Sequence, residues 1–549
     1  MLLTKLLKTA LLSSAVLLVS IGCWASTFSA TGYDSHVELQ CTELCKADQK
    51  YQLKISVNGG PWQTRGELQG QSQLDFTRDL GTNLTLSYQL FSADQKKLLA
   101  TAKTQTRDFS DDELLEMVQR YTFRYFWDHA DPITGWAKER MPNPRDGDII
   151  TSGGTGFGIA ALITASERGW VSREAAVDRM LKITAAATQF ERFHGMWAHW
   201  YNTASGKVHN FSTYDDGGDI VESAFLMQGL LTARQYFNQA TDKEQQLRQH
   251  ISSLWQNMEW SWYTKGENIL YWHWSKHHGW AMNHPIKGYN EALIVYVLAA
   301  ASPTHSISDA PYHKGWAAST VHTFRNGEDY YGISLPLGDK SQKGGPLFFA
   351  HYSFMGLDPR GLQDRYANYW QQNVRHTLIN RAYSIDNPFG WKGYGEDLWG
   401  LTAGDHVPDG YGAHAPGMYS DRGTIAPTAA LSSMPYTPEH SMRVLKNLYY
   451  NHGKTLFGPA GFYDAINLSA SSDPAKQVRR TYLAIDQGPI VGMIENYRTA
   501  LLWNYFMRDP DVRKGLHKLG FTIQGQPISQ SSAKSQPAAK SCWQSALMT

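Results

Sequence analysis

The hydrophobic pattern of this 549-residue chain changes once, near residue 110, from a period of two residues to a period of 3.6. Up to Thr106 the apolar residues alternate in short runs, such as Tyr51–Val57 and Asn83–Leu90, and turn residues such as Asn58-Gly-Gly-Pro61 separate the runs. A period of two is typical of half-buried strands, because successive side chains point to opposite faces. The pattern therefore predicts a small N-terminal β-sandwich over residues 26–106, with an accessory role.

A helical period begins after Ser110-Asp-Asp-Glu113, which resembles a capping box. Amphipathic helices are predicted at residues 111–129, 155–169, 172–192, 219–238, 242–263, 290–301, 360–382, 439–452 and 488–508. The helix pairs show no close sequence repeat, which argues against a regular solenoid. The pattern favours a mainly α fold in which about twelve helices close into an (α/α)6 barrel, a toroid, over residues 107–525. Loops at one mouth of such a ring are the expected place for a functional site.

Charge and hydropathy narrow the possible partners. The formal net charge is +1, so we expect no nucleic-acid partner, and no downstream segment offers the run of about 18 apolar residues that a membrane span needs. Residues 1–25 combine two lysines, an apolar run and a small-residue cleavage site, the pattern of a signal peptide. We therefore expect an exported protein, periplasmic or secreted. A lipid anchor at Cys23 is the second alternative, which Ser20 disfavours.

Two further expectations concern the cysteines and the C-terminal segment. In an oxidising compartment Cys41 and Cys45 could close a small disulfide loop. Residues 526–549 are rich in Ser, Ala and Gln and are expected to form a disordered tail.

Four carboxylates are crowded into Tyr214-Asp-Asp-Gly-Gly-Asp-Ile-Val-Glu222, where an apolar helix begins. Asp219 can be the N-cap of that helix, with Glu222 completing an Asp-x-x-Glu capping box. This structural explanation leaves Asp215 and Asp216 without a role. Asp215, Asp219 and Glu222 are spaced by four and three residues, so they would repel one another unless they are solvated, bind a cation or hold a proton.

Two more acids lie at the predicted starts of helices. Glu291 precedes an apolar helix and follows the aromatic loop 271–280; the helix dipole would favour its charged form, whereas an apolar setting would raise its pKa and suit a general acid. Asp486 also precedes a helix and could be its cap. The sequence leaves both questions open.

Two motifs suggest a cofactor, and neither is favoured. His273, His277 and His278 lack the order of a zinc-binding His-Glu-x-x-His motif and an obvious further ligand. Thr151–Gly158 resembles a phosphate loop but lacks the following Lys-Ser/Thr, so we interpret it as a flexible helix start that lends backbone N–H groups to a cleft. We expect no metal and no cofactor.

Eight short motifs occur in chain order: Gly153–Gly158, Phe193–Trp197, Tyr214–Glu222, Tyr271–Trp274, Gly288–Glu291, Gly345–Ser353, Gly393–Glu396 and Ala484–Pro489. Together they resemble the glucoamylase-like domain of bacterial glycoside hydrolase family 144, over most of residues 107–510. The resemblance implies an (α/α)6 barrel that acts on β-1,2-glucans, releases sophorose and short sophoro-oligosaccharides and uses no cofactor. Asp215, Asp219 and Glu222 match the family's acidic cluster, and Glu291 matches its Asn-Glu acid.

Hydrolysis of a glycosidic bond needs one protonated and one ionised carboxyl, about 6.5 to 9.5 Å apart for inversion and about 5 to 5.5 Å apart for retention. Our hypothesis is that Glu291 is the general acid, that the base is Asp215, Asp219 or Asp486, and that the configuration is inverted. Glu222 then shapes the electrostatic field or binds a hydroxyl group.

Aromatic residues make up 13% of the chain, and flat rings suit the apolar faces of sugars. Trp197, Trp272, Trp274 and Tyr289 are predicted sugar platforms, and the matched motifs add Tyr214, Asn290, His351 and Glu396 as substrate-binding residues.

Three alternatives to a hydrolase stay open. A phosphorylase of the same shape would need a pocket of Arg, Lys or His and added phosphate. A non-catalytic glycan-binding protein would keep the aromatics and lose the acids. A lyase is disfavoured, because the acid-rich cleft would repel a uronic-acid chain. Whether cleavage is endo or exo depends on loops that the sequence does not specify.

Overall fold

The computed structural model describes residues 28–143, 148–318, 323–407 and 410–528. The chain divides into two compact units, 1–108 and 109–549. The predicted signal peptide, the alternative lipid anchor at Cys23 and most of the predicted tail lie outside the described residues.

The first unit consists of two antiparallel sheets, one with strand order β1-β2-β5 and one with order β4-β3-β6-β7. The strands are β1 (Ser29–Gly32), β2 (His36–Gln40), β3 (Lys50–Val57), β4 (Gln63–Gln69), β5 (Ser72–Phe76), β6 (Thr85–Phe91) and β7 (Leu98–Gln105). The alternating residues of β3 and β6, among them Leu53 and Tyr88, join Leu39 of β2 in one buried cluster. Both sheets therefore share a core, as the period of two predicts. A disulfide joins Cys41 to Cys45, as expected.

The second unit is mainly helical. Its helices are α1 (Asp111–Trp127), α2 (Ser152–Glu167), α3 (Arg173–Gln189), α4 (Ile220–Tyr236), α5 (Asp242–Gln256), α6 (Leu293–Ala301), α7 (Tyr369–Asp386), α8 (Pro427–Leu431), α9 (Pro438–Leu456), α10 (Ala484–Thr499), α11 (Leu501–Phe506) and α12 (Pro510–Lys518). The capping box at Ser110 and Glu113 is confirmed. None of the described helices is both long and apolar enough to span a membrane.

Some predicted helix boundaries are wrong. The predicted helix 488–508 is two helices, because Ala500 adopts a left-handed conformation with φ of 58° between α10 and α11. Helix α7 begins only at Tyr369, where the Asn368 side chain caps it. Helices α8 and α12 were not predicted, since each is short and starts with a proline.

Small antiparallel strands connect the helices of the second unit. They are Arg140–Met141 with Tyr482–Leu483; Ile149–Thr151, Trp200–Asn202 and Val208–His209; Arg192–Phe193 with Met196–Trp197; Gly218–Asp219 with His273–Trp274; Arg325–Tyr330 with Ile333–Leu337; Leu362–Gln363, Thr522–Ile523 and Gln526–Pro527; Ala403–His406 with Gly410–Ala413; Phe457–Gly458 with Gly461–Phe462; and Ala465–Ile466 with Val478–Arg479. Most have two residues, so they fix loops and do not form a large sheet.

Helix α2 packs directly on both α4 and α10 in the core. Helix α2 is buried from Ser152 to Ala165, which explains why its sequence lacks a polar face. Its backbone approaches α4 closely, because a Cβ at Gly156 would lie only 2.1 Å from the Phe225 carbonyl oxygen. This packing brings the first turns of the three helices into one region, where α4 carries Glu222 and α10 carries Asp486.

Candidate active site

Asp219 is the N-cap of α4, as the structural explanation predicts. Its Oδ1 accepts hydrogen bonds from the backbone N–H groups of Val221 and Glu222, both at 2.9 Å. Its Oδ2 accepts the Trp272 indole N–H at 3.1 Å and lies 3.2 Å from His199 Nδ1. Burial alone would raise the pKa of Asp219, but these donors and the His199 charge outweigh burial and lower it. Asp219 is therefore ionised and fully engaged in hydrogen bonds.

Glu222 does not complete the predicted capping box. Its Oε2 instead accepts the backbone N–H of Gly153 in the first turn of α2, at 2.9 Å. A Cβ at Gly153 would lie 2.2 Å from that oxygen, so glycine is needed for this approach. Burial raises the pKa of Glu222 to about 7, against the opposing charge of His199. The glycine-rich start of α2 thus lends a backbone N–H group to a carboxylate.

His199 is the central charge of the cluster, and the sequence analysis missed it. Its ring nitrogens lie 3.2 Å from Asp219, 3.7 Å from Glu222 and 4.0 Å from Asp215. Burial lowers the pKa of this imidazole, but the three carboxylates together raise it to about 9. His199 is therefore an imidazolium at neutral pH. Its loop position carries no motif that could have revealed this role.

Asp215 and Asp216 face different partners. Asp215 is buried, and burial together with the charge of Asp219 raises its pKa to about 7. Its Oδ1 lies 3.3 Å from Nε2 of His273, which already accepts the Gly217 N–H. Asp216 lies 2.7 Å from His277 Nδ1. Burial opposes its ionisation, but the hydrogen bond from Ser275 and then the histidines His277 and His278 outweigh burial and lower its pKa. Of these two aspartates, only Asp215 joins Asp219 and Glu222 in the cluster around His199.

Glu291 lies in the turn before α6. The Ser353 hydroxyl fixes this turn by donating to the Glu291 carbonyl oxygen and accepting the Ile294 N–H at 3.0 Å. Burial, with added repulsion from Glu222 and Asp219, raises the pKa of the Glu291 carboxyl to about 7. Burial therefore outweighs the backbone hydrogen bond that lowers this pKa, and Glu291 precedes the N-cap residue Ala292, so it is not a first-turn residue of α6.

Asp486 is buried in the first turn of α10, whose N-cap is Leu483, so its predicted alternative role as a cap is wrong. The Tyr352 hydroxyl donates to its Oδ1 at 3.2 Å. Burial raises its pKa to about 7, while hydrogen bonds from Asp464 and Tyr352 oppose the rise. Asp464, also buried, is a neighbour that the sequence analysis missed.

The family model described as "Putative glucoamylase" matches residues 283–510. The exo β-1,2-glucooligosaccharide sophorohydrolase (non-reducing end) of Parabacteroides distasonis is 41% identical over 523 residues, which cover 89% of this chain and 70% of that protein. This chain belongs to glycoside hydrolase family 144.

Solved structures agree with the assignment to family 144. A glucoamylase-like protein from Bacteroides uniformis is 55% identical with a TM-score of 0.73, covering 76% of this chain and 99% of that chain. The endo-β-1,2-glucanase of Chitinophaga pinensis, in complex with sophorotriose and glucose, is 49% identical with a TM-score of 0.72, covering 75% of this chain and 99% of that chain.

Four predicted substrate-binding residues of this family 144 chain are either buried or engaged in an ion pair. Trp197, Tyr289 and His351 are at most 2% exposed and pack in the core, so the prediction that they contact a sugar is wrong. The Trp197 indole donates to the Ala187 carbonyl, and His351 pairs with a buried serine. Glu396 is exposed and forms an ion pair with Arg443 at 2.8 Å.

The other predicted binding residues lie beside the acids. Trp272 and Trp274 are partly buried on the loop that pairs with Gly218 and Asp219. Asn290 precedes Glu291, and the ring of Tyr214 is half exposed.

Two exposed aromatic rings were missed. Phe211 is half exposed and stacks on His199 with ring centroids 4.5 Å apart. The ring of Tyr411 is also half exposed; desolvation of its hydroxyl and the charges of Asp486 and Asp464 raise its pKa, so the hydroxyl lies toward the acids. Phe211 lies in a loop and Tyr411 in the short strand Gly410–Ala413, and the composition of neither segment gives a sign of a site.

The histidines considered for zinc do not converge. His273 accepts a backbone N–H, whereas His277 and His278 both lie near Asp216. Within the described residues, His199, Asp215 and Asp219 have ligand atoms within 4.8 Å of one another. His199 is protonated and Asp219 already accepts hydrogen bonds, so this trio fits a charge-compensated acid cluster better than a set of metal ligands.

Proposed function

We propose that this protein hydrolyses β-1,2-glucan and its oligosaccharides, releasing sophorose and short sophoro-oligosaccharides. The observation that carries the proposal is the 41% identity over 523 residues with the P. distasonis sophorohydrolase. The described structure adds what hydrolysis needs, buried carboxyl groups whose pKa values lie near neutrality. A binding protein would have no use for such costly groups.

Glu291 is the general acid of the proposed reaction. With a pKa of about 7 it is largely protonated at mildly acidic pH and can donate to the leaving glycosidic oxygen. Glu222 and Asp219 add negative charge that helps to keep its proton in place. Glu222, whose carboxylate accepts the Gly153 N–H, therefore helps to raise the pKa of Glu291.

Asp486 is the base of the proposed reaction. Asp219 is unsuited to the task, because its oxygens already accept hydrogen bonds from Val221, Glu222 and Trp272. Asp215 lies in the cluster around the His199 imidazolium, whereas Asp486 lies on α10 and accepts the Tyr352 hydroxyl. Separate segments, the turn before α6 and the first turn of α10, thus supply the acid and the base, which suits an inverting mechanism with a water between two carboxyls.

Aromatic rings at the acids provide the proposed sugar platforms. Trp272 and Trp274 are held by the pairing with Gly218 and Asp219, and Phe211 and Tyr214 present half-exposed rings. A ring that is fixed on one side and open on the other can stack on the apolar face of a glucose residue.

The same family assignment supports a finer description of the fold. We infer an (α/α)6 barrel in which helices buried on all sides, such as α2, α4, α6 and α10, form the inner ring and amphipathic helices form the outer ring. The β-rich residues 26–106 remain a proposed accessory domain. Export to the periplasm or the medium remains proposed from the signal-peptide pattern in residues 1–25.

The test is incubation of purified protein with linear β-1,2-glucan, with β-1,3- and β-1,4-glucans as controls, with and without phosphate. We expect sophoro-oligosaccharides from the β-1,2-glucan alone, no dependence on phosphate and an inverted anomeric configuration. Sophorose as the first product would indicate exo cleavage, and a ladder of sizes endo cleavage. No cleavage by folded protein, or cleavage only with phosphate, would refute the proposal.

A further inference from the structure

Behind the proposed base lie two further buried aspartates, Asp405 and Asp464. The exposed fractions of Asp405, Asp464 and Asp486 are 0%, 2% and 1%. Three carboxylates cannot all be charged at such depth without compensation, because like charges and desolvation both oppose ionisation. The contacts of each residue show where the charge and the proton lie.

Asp405 is the member of the three that forms an ion pair. Both of its oxygens lie 2.9 Å from Nη1 of Arg140, and the Thr481 hydroxyl donates to Oδ2 at 2.5 Å. Its backbone N–H donates to Oδ2 of Asp464. Asp405 therefore has a cation for its charge, and its N–H fixes one oxygen of Asp464.

The remaining oxygens of the other two aspartates lack a donor. Within the described ranges, Oδ1 of Asp464 and Oδ2 of Asp486 are buried without an N–H or O–H partner, and neither carboxyl has a Lys, Arg or His partner in an ion pair. The two carboxyl groups are nevertheless close enough to form a hydrogen bond with each other. A single shared proton would satisfy both orphan oxygens and remove one of two uncompensated charges.

We propose that Asp464 is a positioning residue that stays protonated and donates its proton in a hydrogen bond to the ionised carboxylate of Asp486. The proposal rests on the proposed function, in which Asp486 is the base. The Tyr352 hydroxyl is a second donor to Asp486, so the charged form is favoured there. At Asp464 the neighbouring charge of Asp405 disfavours a second negative charge.

The pKa values of Asp464 and Asp486 agree with a proton on Asp464 and a charge on Asp486. Burial and then the charges of Asp486 and Asp405 raise the pKa of Asp464 well above its usual range. Burial raises the pKa of Asp486 only to about 7, because the hydrogen bond from Asp464 lowers it. The titratable and charged groups that interact with this pair are Asp405, Arg140, Tyr352, Tyr411 and Tyr125.

The test compares Asp464→Asn with Asp464→Leu by the pH dependence of kcat/KM for sophorose release. Asparagine can accept the Asp405 N–H and still donate to Asp486, so we expect the acidic limb to stay where the wild type has it. Leucine cannot donate, and loss of one hydrogen bond to a carboxylate should move that limb upward by about one pH unit, with the basic limb unchanged. Tyr352→Phe removes the other donor and should move the same limb in the same direction.

Two results would overturn the proposal. If Asp464→Asn abolishes activity as completely as Asp486→Asn, Asp464 is itself the base. If the leucine variant loses activity without any movement of the acidic limb, Asp464 is only structural.

A measurement without substrate separates this proposal from the proposed function. Infrared spectra at about pH 9 should show a protonated-carboxyl band that Asp464→Asn lacks, since the other acids with pKa near 7 are then ionised. Equal bands in both proteins would refute the protonation of Asp464, whether or not the protein cleaves β-1,2-glucan.

Discussion

Replacing His199 by asparagine should flatten the dependence of thermal stability on pH between about pH 7 and 9. The pKa of His199 is raised from 6.5 to about 9 in the folded protein. A group whose pKa is raised on folding stabilises the protein fully below its unfolded pKa, and this contribution is lost as the pH rises through the folded pKa. The His199→Asn variant lacks the contribution, so its stability should change less in that window.

The expected magnitude follows from the shift. A rise of 2.5 units corresponds to about 3 kcal/mol, because one unit is about 1.4 kcal/mol. Asp215 and Glu222 have folded pKa values of about 7, so their own effects on stability fall mainly below the window. For a unit as large as residues 109–549, the unfolding entropy is about 0.9 kcal/mol per kelvin, so the Tm of the wild type should fall by about 3 °C relative to the variant.

Scanning calorimetry at a fixed scan rate, in steps from about pH 6.5 to 9.5, measures this difference. His517→Asn is the matched control, because His517 is exposed at the end of α12, far in sequence from the cluster. The control should follow the wild-type curve. Parallel curves for the wild type and His199→Asn would refute the assignment of a charged His199 at the centre of the acids.

Three further substitutions test individual contacts. Asp219→Ala should cost about 3 to 5 kcal/mol in calorimetry, since it removes a buried cap and the carboxylate nearest to the His199 charge. Ser172→Ala, at the N-cap of α3, should cost about 1 kcal/mol, and equal losses would contradict the argument. Gly153→Ala should lower kcat/KM at least about tenfold, because the added Cβ displaces Glu222. Gly395→Ala is the control and should not lower it, since a Cβ there has no neighbour nearer than 4.0 Å. Equal activities of the two variants would show that the Gly153 contact has no role in catalysis. Glu291→Gln should lower kcat by about 100-fold or more with the fold intact, and Glu396→Gln should leave it unchanged; an active Glu291→Gln enzyme would exclude Glu291 as the acid.

The features that depend on neighbouring residues in sequence could be predicted. The two periods separate the strand-rich residues before Thr106 from the helices that follow, and the N-cap role of Asp219 needs only its own helix. Helix ends that depend on backbone conformation were missed, as at Ala500, where nothing in the residue type indicates a left-handed break.

The pairing of the acids could not be predicted in the same way. Glu222 has the spacing of a capping box, yet its carboxylate binds Gly153 of another helix because α2 and α4 pack closely. Trp197 and Phe211 are both aromatic residues in the connections between helices, and only the tertiary structure buries the first and exposes the second.

The sequence by itself therefore determined the two regions, the resemblance to family 144 and the candidate acids Asp215, Asp219, Glu222, Glu291 and Asp486, but not Asp405 or Asp464. Tertiary structure decided what each acid does. The pKa of a carboxyl depends on its burial and on charges within a few ångströms, and these come from segments such as His199, Asp464 and Arg140 that are distant in the chain.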